Sequence, residues 1–206
     1  MKTVGAEGIS VEDVPDVSAG WYLDLAGLGA AAPEPVRVVA AIATEAVIGV
    51  FAVLFVLVWW RARRRDAAVM ARALVGPVVT VVAYLVSEGV KEVWRQDRPC
   101  RVLGEVATVV PCPEVGDWSF PSNHATIAGA AAVALAWSGW RVGFGLALVA
   151  AASRVVVGVH YPHDVVAGLA LGAGVALLVP VVARAVTPVV VRLRAHDAGA
   201  VVLGGR

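Results

Sequence analysis

VVAAIATEAVIGVFAVLFVLVWW, from Val38 to Trp60, contains one ionisable residue, Glu45, and otherwise only small, aliphatic and aromatic side chains apart from Thr44. About 20 apolar residues suffice for a helix to cross a bilayer, so this run predicts a transmembrane span. Four further runs read the same way: Ala67 to Val90, Pro121 to Gly139, Val142 to Val159 and Val165 to Val191. The chain has 206 residues, of which 59% are hydrophobic and 16% charged, and its mean hydropathy is +0.79. That balance excludes an ordinary soluble domain. The expected fold is an all-α integral membrane protein, a bundle of five spans. Trp21 to Ala32 is too short to cross and carries Asp24, so it predicts an interfacial or short sixth helix. Residues 1–36 then form an N-terminal segment, residues 37–191 the transmembrane domain, and residues 192–206 a cytoplasmic tail.

Charge distribution orients the bundle. Arg61, Arg63, Arg64, Arg65 and Arg72 crowd the first link, Arg141 lies in another, and Arg192 and Arg194 follow the last span. Basic links stay in the cytoplasm, so the acidic N-terminal segment (Glu7, Glu12, Asp13, Asp16, Asp24) and the link from Trp94 to Phe120 are expected outside. The first twenty residues contain acidic positions where a cleavable signal needs an apolar core, so none is expected. The two cysteines, Cys100 and Cys112, bracket one outward loop, where an oxidising exterior favours a disulfide.

Three polar clusters then stand out, and span counting puts all three at the outer ends of helices. In KEVWRQDRP, Lys91 to Pro99, a continuing helix would place Lys91, Arg95 and Arg98 on one face. In FPSNHA, Phe120 to Ala125, Ser122 is a helix N-cap whose following free amides attract anions. In SRVVVGVHYPHD, Ser153 to Asp164, Pro162 restarts a helix with Asp164 in its first turn. Any one of these charges could be an interface residue with its head in water. Together they supply the parts of phosphoryl transfer: cations for phosphate oxygens (Lys91, Arg98, Arg154), amides after Ser122, a nucleophile (His160), a group that fixes its tautomer (Asp164), and a proton donor (His124). Arg95 and Arg101 read as solvated, His163 as facing the headgroups, and His196 as part of the tail. Trp94, Trp118 and Phe120 read as an aromatic belt, and Glu45 as either a helix–helix partner or a support for the arginines. No spacing suggests metal ligands.

The clusters resemble the signature of the type 2 phosphatidic acid phosphatase (PAP2) superfamily of membrane lipid phosphatases. K-x6-R-P matches Lys91, Arg98 and Pro99; P-S-x-H matches Pro121, Ser122 and His124; S-R-x5-H-x3-D matches Ser153, Arg154, His160 and Asp164. Asn123 stands where many members carry glycine, and the cysteine loop and acidic N-terminus depart from the family. The resemblance implies a phosphatase without metal or other cofactor. In it Lys91, Arg98, Ser122, Asn123 and Arg154 surround the phosphate, His160 is the nucleophile, His124 the general acid and Asp164 the orienting partner. Size and the ATEAVIG stretch look most like the bacitracin-resistance type of undecaprenyl pyrophosphate phosphatases. The expected partners are a membrane lipid phosphate and the bilayer, with no nucleic acid. The expected reaction is hydrolysis of a polyprenyl diphosphate at the outer face of a bacterial cell membrane. A phosphatidate, phosphatidylglycerophosphate or prenyl-linked sugar phosphate phosphatase is the alternative within the enzyme class, and a transporter is the alternative outside it.

Overall fold

A computed structural model of the chain describes residues 14–104 and 107–204, so Glu7, Glu12 and Asp13 lie outside the described residues. Among the described residues nine helical segments follow one another: α1 (Asp16–Ala31), α2 (Glu34–Ala62), α3 (Ala67–Trp94), α4 (Pro99–Val102), α5 (Asn123–Trp137), α6 (Val142–Val156), α7 (Pro162–Ala176), α8 (Val179–Arg194) and α9 (Asp197–Leu203). The expected spans map onto α2, α3, α5, α6 and the α7–α8 pair. Among the described residues three stretches are long and apolar enough to cross a membrane alone: Glu34–Ala62, Ala67–Val102 and Pro162–Arg194. α5 and α6 have 15 residues each, about 22 Å of helix. α5 needs no more, because its buried residues run along most of its length and protein rather than lipid surrounds it. The last expected span is divided at Leu177 and Leu178, where Pro180 lacks the N–H that would bond to Ala176.

The bundle is apolar outside as well as inside. Val38, Ile42, Val53, Val56, Val81, Leu85, Leu148 and Val181 are all more than half exposed, whereas the core around α5 is built mainly from alanine. Small residues inside and large aliphatic ones outside suit a molecule whose solvent is hydrocarbon. α5 packs most extensively on α7, and that contact is backbone on backbone. A Cβ added to Gly168 would come within 2.5 Å of Ser122 O, one on Gly129 within 2.5 Å of Leu169 O, and one on Gly172 would overlap Thr126 O. Gly172→Ala is therefore expected to destabilise the protein by roughly 1–3 kcal/mol, the usual penalty of overpacking. Thermal aggregation in detergent measures it, and an unchanged midpoint would show that the seam yields.

The two ends of the bundle differ. At one end the α2–α3 turn meets the chain terminus: Arg194 Nη1 donates to Arg65 O at 2.8 Å, Arg194 Nε to Leu203 O at 3.0 Å, and Arg63 Nη2 to Val201 O at 2.5 Å. Residues 192–206, expected as a tail, thus include a helix docked on the arginine-rich turn. At the other end the α3–α5 and α6–α7 connections come together, crossed by α1. The face of α1 bearing Ser18, Tyr22, Ala26 and Gly29 is buried, while Val17, Trp21, Leu25 and Leu28 are exposed. That exposed stripe at helical spacing fits a helix lying in the membrane interface.

Candidate active site

Each connection at that end has a local reason for its path. α3 stops at Trp94, and Arg95 adopts a left-handed conformation at φ 46°. The continuing face expected for Lys91, Arg95 and Arg98 is therefore broken. Arg95 swings out, 65% exposed at its side chain, to Glu92. Arg98 returns as the extended N-cap of α4 and is 3% exposed. Cys100 and Cys112 are joined by a disulfide with Cα atoms 5.9 Å apart, closing the loop that leads back to Asp117 and Ser119. Gly158, at φ 89°, makes the reversal after α6 that an L side chain would resist. Its carbonyl accepts from Tyr22 Oη at 3.1 Å.

His160 sits on this reversal, 2% exposed, and its two ring nitrogens have different partners. Arg98 Nη1 lies 3.1 Å from Nε2 and also donates to Val159 O at 3.0 Å. Nδ1 lies 3.3 Å from Asp164 Oδ2. A guanidinium has no acceptor to offer, so Nε2 carries the lone pair and the network assigns the proton to Nδ1. Asp164 is fully buried, in the first turn of α7, and is held from several sides. Tyr161 N donates to Oδ2 at 2.8 Å and Ser119 Oγ donates to the same oxygen. Gln96 Nε2 donates to Oδ1 at 3.3 Å, and His163 Nε2 lies 3.2 Å from it. His163 does not face the headgroups, as its sequence position suggested. Ser18 Oγ is 2.7 Å from its Nδ1, and its ring stacks on Tyr161.

Burial, then the charges of Arg98, Arg154 and Lys91, push the His160 imidazole well below the ordinary histidine range. Protonation would remove the Nε2 lone pair, and these effects move that loss to lower pH. The acid limb of the kcat/KM profile is thus expected below about pH 6.5, the value for a solvated histidine. A limb at or above that value would contradict the environment described.

Around His160 the cations converge. Lys91 Nζ and Arg98 Nη2 reach one oxygen of Asp117, at 3.3 and 2.8 Å, and Arg98 Nε donates to Asp117 O at 2.8 Å. Burial raises the Asp117 carboxyl, but Arg98 and then Lys91 outweigh it and hold it below the usual carboxylate range. Arg154, at the end of α6, donates from Nη1 to Glu45 Oε1 at 2.7 Å and to Thr44 Oγ1 at 3.2 Å. Glu45 Oε2 lies 3.0 Å from His124 Nε2, so of the two roles open to Glu45 the structure places it on Arg154 and on His124. Ser122 is at the N-cap of α5, yet its side chain makes no capping bond. Among the described residues its buried Oγ, like Arg154 Nε, has no hydrogen-bond partner. The Asn123 side chain is committed elsewhere, accepting from Ser87 Oγ at 2.7 Å and donating to Glu88. Those two bonds hold the Asn123 amide group on α3.

The structure thus gathers Lys91, Arg98, Ser122, His124, Arg154, His160 and Asp164 at one end of the bundle and leaves Arg95 outside. Sequence reading overlooked Asp117, Ser119 and Gln96. The available signal was an acid and a serine immediately before FPSNHA, in the loop that had to return to the cations.

Such a group of buried cations around a histidine with one unprotonated nitrogen has the chemistry to receive an anion. The relatives that the chain matches are named as phosphatases. An undecaprenyl-diphosphatase of Sulfolobus acidocaldarius is 37% identical over 102 residues, covering 48% of this chain and 48% of that protein. A decaprenylphosphoryl-5-phosphoribose phosphatase of Mycobacterium tuberculosis (strain H37Rv) is 38% identical over 110 residues, covering 52% and 58%. The undecaprenyl-diphosphatase BcrC of Bacillus subtilis is 31% identical over 130 residues, covering 61% and 64%. The chain thus spans about half to two thirds of the length of these curated relatives, and no solved structure matches it significantly. The family model described as the PAP2 superfamily matches residues 72–188, which contain all three motifs and more than half of the sequence, and the chain belongs to that superfamily.

Proposed function

We propose that the chain hydrolyses a polyprenyl diphosphate to the monophosphate through a phosphohistidine. The observation that carries this reading is the polarity of His160, with Nδ1 beside Asp164 and an unprotonated Nε2 facing Arg98, which a phosphate drawing Arg98 to its own oxygens would release for attack. His160 Nε2 forms a bond to the terminal phosphorus as the bond to the bridging oxygen breaks. His124 gives its proton to that leaving oxygen, and Lys91, Arg98, Arg154, Ser122 Oγ and the amides at the start of α5 hold the non-bridging oxygens. Water then attacks the phosphohistidine, releases inorganic phosphate and returns His160. No metal takes part.

Two observations support a lipid substrate. The exposed flank of the bundle is aliphatic, and an apolar crevice of about 400 Å³ between α2 and α3 begins one turn beyond Glu45 and His124, with Ile48, Ile127, Phe51, Phe55 and Trp59 along it. The diphosphate is favoured by the names of the S. acidocaldarius and B. subtilis relatives. Arg95 adds nothing to that argument, because it points away. In this reading residues 37–191 carry the reaction, residues 1–36 place α1 against it, residues 192–206 close the opposite end, and the site opens at the outer face of a bacterial cell membrane. The mycobacterial relative favours one second reading, a phosphatase of a prenyl-linked sugar phosphate.

Phosphate release by purified protein, with excess chelator present, tests both. The expected result is a higher kcat/KM on undecaprenyl diphosphate than on phosphatidate, phosphatidylglycerophosphate or a prenyl-linked sugar phosphate. A preference of about tenfold for one of the others, about 1.4 kcal/mol in transition-state binding, would replace the diphosphate as the substrate. Inactivation by chelator would overturn the histidine mechanism.

A further inference from the structure

Two carboxylates hydrogen-bond to the groups assigned to phosphate, and a third, Glu88, lies 3.9 Å from Lys91 Nζ while also holding the Asn123 amide. Asp117 Oδ1 takes Lys91 and Arg98, and Glu45 takes Arg154 and faces His124. The partners are unequal in freedom. The side chains of Lys91, Arg98 and Arg154 are 5%, 4% and 8% exposed, whereas those of Asp117 and Glu45 are 49% and 64% exposed. The cations are fixed by packing, and the acids have room to turn away. Neither acid belongs to the three motifs, and Glu45 lies on α2, outside the residues that match the family.

We propose that Asp117 and Glu45 are resident counter-anions, which the phosphate oxygens of the substrate must displace and which thereby set the site's preference for a diphosphate over a phosphomonoester. The proposal rests on the phosphatase reading above and deepens it. A phosphate oxygen that replaces a carboxylate oxygen on Arg98 or Arg154 forms a bond much like the one it breaks, so charge alone gives little net gain. A ligand gains by bringing more acceptors than two carboxylates can. Of the buried polar atoms without a partner among the described residues, two belong to this cluster, Ser122 Oγ and Arg154 Nε, and a diphosphate has oxygens enough to reach them while also replacing both acids. The acids also keep three closely placed cations compensated in a low-dielectric setting, where their mutual repulsion is costly.

Calorimetric binding of inorganic phosphate and of methylenediphosphonate, a diphosphate analogue that is not hydrolysed, tests this on the full chain in detergent. Asp117→Asn and Glu45→Gln keep shape and remove charge, and Asp117→Ala guards against a new hydrogen bond from the amide. Each is expected to bind inorganic phosphate about tenfold or more tightly than the parent and to narrow the advantage of methylenediphosphonate. Unchanged or weaker phosphate binding in both Asp117 variants would overturn the role of Asp117. For Glu45→Gln, a lower kcat with unchanged phosphate affinity would make Glu45 a positioning residue for His124 and overturn its part. Binding is read without turnover, so tightened variants of a chain inactive on polyprenyl diphosphate would overturn the substrate reading and leave this one standing.

Discussion

His160→Ala is expected to lower kcat for phosphate release by about 10⁴-fold or more, as loss of the nucleophile does in enzymes that act through a covalent intermediate. The variant retains Lys91, Arg98 and Arg154, so it still gathers the anion, but no atom takes the place of Nε2. Water alone would have to attack from the pocket that the imidazole fills. Because His160 is almost fully buried, the substitution also leaves a cavity, so His160→Gln serves as a second variant of closer volume. Both should elute as the parent does on size exclusion, and neither should trap label from a phosphorus-labelled substrate. Near-parental turnover in either variant would remove the phosphohistidine from the mechanism.

Asp164→Asn is expected to cost about 10³–10⁴-fold in kcat, the scale seen when the carboxylate behind a catalytic histidine is replaced by its amide. The reason lies in the donors around it. Tyr161 N, Ser119 Oγ and Gln96 Nε2 all donate to this carboxylate, and His160 Nδ1 lies beside it. An amide would turn an N–H towards at least one of these donors and leave it unsatisfied. With the amide N–H towards His160, the imidazole would be drawn to the other tautomer and present a proton, not a lone pair, at Nε2. An unpaired buried donor costs about 1–3 kcal/mol of stability, so thermal stability should fall modestly while activity falls far more. Loss of stability and activity in proportion would instead make Asp164 a structural residue.

The parts of this site that could be read in the sequence are those whose role is carried by residue type at a helix boundary. Pro162 and Asp164 announce the first turn of α7, Ser122 marks the start of α5, and Lys91 closes α3. Run length and composition also separated the spans, because a helix in lipid must be apolar along its length. What escaped depended on the course of irregular chain. Whether α3 ended at Trp94 or ran on to Arg98 decided the fate of Arg95, and the left-handed turn there has no glycine to announce it. Asp117, Ser119 and Gln96 reach the site because loops fold back over it, and no period runs through residues 95–120. His163 was misplaced because neither its type nor its spacing reveals that α1 lies across it. Glu45 was visible as an anomaly, but its partners come from α5 and α6, 79 and 109 residues away.

The seam between α5 and α7 has a consequence for accuracy. Where two helices meet through long side chains, rotamers can absorb a misfit of an ångström or more. At Gly129, Gly168 and Gly172 carbonyls face bare α-carbons, and Ser122 N donates to Asp164 O at 3.1 Å across the same junction. Sliding one helix by a single residue, about 1.5 Å, would drive methyl groups into oxygens. The spacing between the element that carries Ser122 and His124 and the element that carries Asp164 is therefore set by bond lengths and angles of the polypeptide itself, a ruler with no moving parts.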